Sequence, residues 1–388
     1  MSEKIIKTQK VKNFNKHIIG IVFIVLSIAV AYVNSLNGTW AMDDVVVNKN
    51  ISIKDIYDLV GFRKVAYLTF YLNQLISSFD PLNYRLVNIL IHIINSLLVY
   101  MLAYKTIILV LKNREGNIIK KNEKARNDNI YQEKAFYVAL LSSIIFALHP
   151  INTNAVTYIV QRMASLAAFF VLLSLLFYIF SVESKNKFRS IILYLLSGLS
   201  VIAGVFSKEN ALLAIPLIIL YDFIILSSND RSGFYKRLFI ISAIGFISTA
   251  LSFYLLHLHY AFVEIIKAFV NFNEPILSKG WTATDVYWTP LQHILTEFRV
   301  VVRYLLLIIF PNPNLMVFDW WSYPISKGLF EPISTILSIG LIFLMILAAI
   351  TLKKKLPLVS FAILWYLIGI SLESFIAFGS DLYFEHRN

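Results

Sequence analysis

Cysteine is absent from the 388 residues. Its absence excludes disulfide scaffolds, Cys-ligated zinc and iron–sulfur clusters, and thiol nucleophiles. Charge is also scarce, at 15% of residues where globular chains carry about 25%. Apolar types reach 58% and mean hydropathy is +0.70. A water-soluble protein of this length could not hide so much apolar surface, which excludes a soluble enzyme and a disordered chain. No Gly-rich phosphate loop of P-loop or Rossmann type is present, and no HExxH zinc motif, so a cytosolic nucleotide site has no support. No segment repeats another at a fixed period, and no low-complexity linker divides the chain.

What is present is a series of long apolar runs. A bilayer core takes roughly 20 mostly apolar residues per helix. Such runs lie near 18–34, 86–108, 136–149, 163–182, 190–206, 210–228, 237–258, 293–310, 333–352 and 357–378. The first ends near a small-residue pattern at Ala29 and Ala31 that resembles a signal-peptidase site. Its basic region is long and the chain continues through further spans, so it reads as an uncleaved anchor.

The net charge of +12 need not mean nucleic acid; in a membrane protein it more often means basic cytoplasmic loops. The basic clusters are Lys4–Lys16, Lys105–Lys134, Lys185–Arg189, Arg231–Arg237 and Lys353–Lys355. Placing them inside, with the N-terminus inside, leaves the two long loops 35–85 and 257–332 outside. Run 293–310 spoils the parity if it crosses, and it carries Glu297, Arg299 and Arg303, which lipid tolerates poorly. It reads as re-entrant or interfacial. The expected fold is an all-α polytopic membrane bundle of about nine crossings plus this segment, in one domain over 1–388.

Ionisable groups at the ends of spans carry the functional information. Asp43-Asp44 stands in the first outer loop. Such a pair can orient and deprotonate a hydroxyl, or it can cap a helix. Arg85, Asn88, His92 and Asn95/Ser96 share one face of the second run by their spacing. That stripe faces other protein or a water-filled cavity, with interhelical hydrogen bonding as the simpler account. His149 and Arg162 bracket a short outer loop broken at Pro150. They can bind a phosphate, or Arg162 can snorkel to the headgroups. Lys208 and Glu209 sit at another outer hairpin, where Glu209 can simply cap the next helix. Arg299 and Arg303, four apart, share a helix face. Trp320, Trp321 and Tyr323 read first as an interfacial belt and second as a sugar-stacking surface. Glu385-His386-Arg387 closes the chain.

Outer acids, outer cations and no nucleotide loop suit transfer from a lipid-phosphate donor. The leaving phosphate needs cations and the acceptor hydroxyl needs a carboxylate. A transporter or flippase also needs buried polar groups, but there is no inverted repeat and no pair of Gly/Pro-broken spans.

In order, the segments Asp43-Asp44, YRLVNILIHIINSLLVY, FALHPINTNAVTYIVQRMASLAAFF, FSKENALLAIPLIILYD, LTEFRVVVRYLLLIIFPNPNL, LWYLIGISLESF and EHR resemble the bacterial branch of the transmembrane and tetratricopeptide-repeat O-mannosyltransferase-like proteins, which are GT-C membrane glycosyltransferases. The resemblance implies a GT-C helical bundle in a bacterial inner membrane, with its active site on the extracytoplasmic side. It implies an inverting enzyme with a polyprenyl-phosphate sugar as donor and a protein Ser/Thr hydroxyl or a glycan as acceptor. Membrane lipids are its surroundings, and nucleic acid is not a partner. Asp43 or Asp44 would be the catalytic carboxylate. His149, Arg162, Lys208, Glu209, Arg299, His386 and Arg387 match recurrent polar positions of the family. With His92 and Arg303, they are the candidates to bind donor phosphate or sugar. No metal ligand is assigned; a divalent metal is left open.

Two departures stand out. Family members often carry Glu where this chain has Asn154. They also usually continue beyond the EHR segment into further spans and tetratricopeptide repeats, whereas this sequence stops at Asn388. A shortened, inactive assembly subunit is therefore a further reading.

Overall fold

Apolar runs with few helix breakers become helices, because in a bilayer every backbone N–H and C=O must be satisfied within the segment. The computed structural model describes residues 2–58, 63–115, 121–227, 231–256, 276–278, 286–316 and 323–375. These are helical except for connecting loops and one short antiparallel ribbon, Ile276–Ser278 paired with Val286–Trp288. The protein is a polytopic, essentially all-helical membrane protein.

The chain packs as two compact units, Met1–Tyr57 with Val65–Ser197, and Asp58–Lys64 with Gly198–Asn388. The first unit holds α1 (Ser2–Tyr32), α2 (Ile53–Asp58, whose last residue groups with the second unit), α3 (Lys64–Ser77, whose first residue groups with the second unit), α4 (Pro81–Glu115), α5 (Lys121–Leu148), α6 (Thr153–Thr157) and α7 (Arg162–Glu183). Helix α8 (Lys187–Val205) contains the boundary. Helix α4 is the spine of the first unit. Ile24, Ile28 and Tyr32 of α1 pack on its Ile89 and Tyr100, together with Phe136, Ala139 and Ala147 of α5. On its other side Leu98 meets Leu172 and Leu176 of α7.

The second unit holds α9 (Ala214–Tyr221), which runs into a π-helical stretch Asp222–Leu226. It also holds α10 (Arg231–Leu256), the ribbon, α11 (Pro290–Ile309), α12 (Ser334–Leu352) and α13 (Pro357–Phe375). Helix α11 begins with a complete capping box. The Thr289 hydroxyl accepts the Gln292 N–H, the Gln292 side chain accepts the Thr289 N–H, and Pro290 fills the first turn. The Tyr366 hydroxyl of α13 bonds the Val301 carbonyl of α11 at 2.5 Å.

Among the described residues, seven helices are long and apolar enough to cross a membrane: Phe14–Asn37, Pro81–Asn113, Ile159–Glu183, Lys187–Val205, Glu209–Leu226, Ser334–Leu352 and Pro357–Phe375. Each covers one of the expected runs. The third run is a helix that bends by 48° where Asp128–Leu148 gives way to Pro150–Thr157, the break expected at Pro150. Residues 237–256 of run 237–258 lie in α10 and residues 293–309 of run 293–310 in α11, neither of which is among the seven. Among the described residues the count by length and composition is thus seven, or eight with the bent pair; the expectation for the whole chain is about nine.

Candidate functional site

In the first unit the chain leaves the first span and forms a short 3-10 helix, Met42–Val46, that carries both acids of the first loop. Asp44 is fully buried. Its Oδ2 accepts the Ala41 N–H at 3.1 Å and its Oδ1 accepts the Val160 N–H at 2.9 Å. Burial raises its pKa, opposed by those two N–H groups and by the nearby Arg85 guanidinium. Asp43 is the more exposed of the pair, and its N–H donates to the Tyr158 hydroxyl at 2.7 Å. The segment 158–160 therefore holds the acidic turn at two points.

Arg85 holds the same loop from α4. Its guanidinium donates to the carbonyls of Gly38 and Thr39, and its Nε to Thr157 at 3.2 Å. A Cβ on Gly38 would stand 2.9 Å from Arg85 Cζ, so a side chain there would push the guanidinium aside.

The rest of the α4 stripe grips the bent segment between α5 and α7. Asn88 donates to the carbonyls of Tyr158 and Ile159, and Asn95 donates to Ser165 at 2.9 Å. His92, expected among the donor-binding residues, is buried with Nε2 2.9 Å from the Ala147 carbonyl and its ring stacked on Phe146. The stripe is thus interhelical, because a helix broken at Pro150 exposes carbonyls that need donors.

Arg162, a candidate for the donor phosphate, is fully buried, with four of its five N–H groups bonded: to Asn88 Oδ1 at 2.7 Å, Thr69 O at 3.2 Å, Asn73 Oδ1 at 2.8 Å and Tyr84 O at 2.9 Å. The Phe70 ring lies 4.4 Å from its Cζ. It joins α3, α4 and α7. His149 is half-buried and caps the turn Pro150–Asn152 by accepting the Ile151 N–H at 3.2 Å.

In the second unit Lys208 is buried against Glu373, with Nζ 3.4 Å from Oε1, the same oxygen that accepts the Asn210 amide at 2.7 Å. Glu209 pairs with Arg63 at 3.3 Å. Arg299 donates to the Pro324 carbonyl at 2.7 Å and the Ser326 hydroxyl at 3.3 Å, with its Cζ over the Tyr323 ring. Its Nε is buried and has no acceptor among the described residues. Arg303, one turn on, is half-buried. Glu297 is buried and bonded by the Ser374 hydroxyl. Glu373 and Asn73 were missed as partners. Glu373 had a signal, an acid inside an apolar run, and Asn73 had none. His386, Arg387, Trp320 and Trp321 lie outside the described residues. Among the described residues no group of three or more His, Asp or Glu is arranged to hold a metal.

The sequence is similar to curated protein O-mannosyl-transferases. It is 29% identical over 247 residues to the Caenorhabditis elegans protein O-mannosyl-transferase F38B6.6, covering 58% of this chain and 31% of that protein. It is 30% identical over 132 residues to human protein O-mannosyl-transferase TMTC3, covering 34% of this chain and 11% of that protein. To mouse TMTC3 it is 23% identical over 329 residues, covering 77% and 32%. The chain therefore spans less than a third of the length of these relatives. No family model matches it, and no solved structure matches it.

Proposed function

We propose that this chain is a membrane glycosyltransferase that moves a mannose-like sugar from a polyprenyl-phosphate donor to a protein Ser/Thr hydroxyl or a glycan on the extracytoplasmic side. The observation that carries the reading is the acidic turn. Asp44 spends its carboxylate on two main-chain N–H groups, and the half-buried Asp43 stands beside it on the same short helix. The similarity to protein O-mannosyl-transferases supports the reaction class.

Asp43 is the acceptor-orienting base and Asp44 its positioning residue. The acceptor oxygen bonds to the anomeric carbon as the carbon–oxygen bond to phosphate breaks. The polyprenyl phosphate leaves with the bonding electron pair, and the hydroxyl proton passes to the Asp43 carboxylate. A single displacement of this kind inverts the anomeric centre. In the second unit, Arg303 and the Arg299 Nε are the candidates for the donor phosphate, a proposal that stands on that unit alone. A phosphate leaving group gains from fixed cations as its charge develops. His92, Arg162 and Lys208 take structural roles.

The experiment is transfer of labelled polyprenyl-phosphate mannose, and of the hexosamine donor, in membranes containing wild type, Asp43→Asn or Asp44→Asn. Product from wild type that is lost in Asp43→Asn is the expected result. Full transfer by Asp43→Asn overturns the catalytic assignment.

A further inference from the structure

Three chain segments of the second unit meet around the Phe223 ring, at a place that the proposed transfer reaction does not use: the π-helical stretch Asp222–Leu226, the start of α10, where Phe234, one turn beyond Arg231, lies 5.4 Å from Phe223 ring to ring, and the α12–α13 turn at Lys353–Lys355. The Lys353 ammonium lies over the Phe223 ring, 2.8 Å from its centroid. Arg231 and Lys354 are close enough to Lys353 to repel its charge, and with burial as the larger cause they lower its pKa. Among the described residues the acid at this place is Asp222, and it is already used. Asp222 is fully buried, accepts Arg237 through both oxygens at 2.8 and 3.1 Å, and takes the Ser227 hydroxyl as well. Among the described residues no carboxylate forms an ion pair with Arg231, Lys353 or Lys354.

Three like charges gathered beside a neutralised carboxylate repel one another unless an anion joins them. The turn that carries two of them connects Ser334–Leu352 to Pro357–Phe375, both of span length, so it lies at a membrane boundary. Cationic pockets between spans at that level suit phosphate headgroups. We infer that Arg231, Lys353 and Lys354 form a binding site for a phosphate anion, supplied by the headgroup of an anionic phospholipid, with Phe223 holding Lys353 in place. The simplest rival is a topology signal: basic residues retained on one side during insertion, with no ligand preference in the folded protein.

The test uses the purified full chain in detergent and native mass spectrometry with phosphatidylglycerol, phosphatidylcholine or inorganic phosphate as probe. Wild type should retain phosphatidylglycerol in preference to phosphatidylcholine. Lys353→Gln with Lys354→Gln should weaken that retention about tenfold or more, given the usual gain per basic residue at an anionic surface. Lys353→Arg should keep it, and the exposed single change Lys354→Gln gives a smaller loss should the double variant fold poorly. Equal retention of the two lipids by wild type, or undiminished phosphatidylglycerol retention in the variants that lose charge, overturns the site. Displacement of phosphatidylglycerol by equimolar inorganic phosphate overturns the lipid as its source.

Discussion

The Val160 N–H donates to the Asp44 carboxylate at 2.9 Å, tying the first loop to a segment 116 residues further along the chain. With the Ala41 N–H on the other oxygen, this contact turns one member of an acidic pair into a fixed anchor for its neighbour.

The pair should therefore divide its effects. Asp43→Asn is expected to cut transfer by about 100-fold or more, the lower end of what a positioned base contributes, with a smaller loss of thermal stability than a change at Asp44. Asp44→Ala is expected to destabilise the protein by about 1–3 kcal/mol, because two N–H groups lose their acceptor. Transfer kinetics beside thermal unfolding of the reconstituted protein separates the two. Equal loss of stability in both variants contradicts the division.

The Asp44 carboxyl has a sign to check. Its folded pKa is raised above the ordinary value of 3.8, with burial the largest cause. The folded state then holds the proton more tightly than the unfolded state. The contribution of this group is fullest below the unfolded value and is lost as pH rises through the raised folded value. Wild type should lose melting temperature relative to Asp44→Asn as pH climbs from about 3.8 through that window. A difference that is flat or of opposite slope refutes this.

Arg162 is expected to behave as a structural residue. Arg162→Met removes four hydrogen bonds from a fully buried site and leaves acceptors on α3 and α4 unsatisfied. A loss of roughly 3 kcal/mol follows, seen as poor folded yield. A well-folded Arg162→Lys variant whose only defect is a raised KM for the donor would return this residue to the phosphate.

Gly38→Ala tests the clamp on the first loop. Its new methyl would lie 2.9 Å from Arg85 Cζ, so the guanidinium must shift off the Gly38 and Thr39 carbonyls, and a hydrogen bond to a charged group is worth about 1.5–3 kcal/mol. Thermal unfolding reads the loss, and pairing the change with Arg85→Ala should relieve part of it. Purely additive effects would show that the two residues do not touch.

Arg303→Gln should raise the KM for the lipid-phosphate donor about tenfold, the worth of one charge-assisted hydrogen bond. An unchanged donor KM removes Arg303 from the phosphate assignment.

Much of this protein was legible without coordinates. Hydropathy located the seven span-length helices, because lipid admits only long self-satisfied helices. Pro150 marked the bend, because its ring removes a donor and clashes with the preceding turn. The spacing of Arg85, Asn88, His92 and Asn95 revealed a shared face. What sequence could not decide was which charged groups are spent on the structure. Arg85 and His92 bond main-chain carbonyls, and Asp44 bonds main-chain N–H groups. Every residue carries a carbonyl and nearly every one an N–H, so such partners leave no complementary letter in the chain. Lys208 does have a side-chain partner in Glu373, but only folding brings two such distant residues together. The sequence by itself determined a polytopic helical membrane protein with acids and bases at the ends of its spans. The tertiary structure decided that Asp44, His92 and Arg162 are buried and committed, while Asp43 stays more open, because burial and hydrogen-bond partnership arise only when separate segments pack.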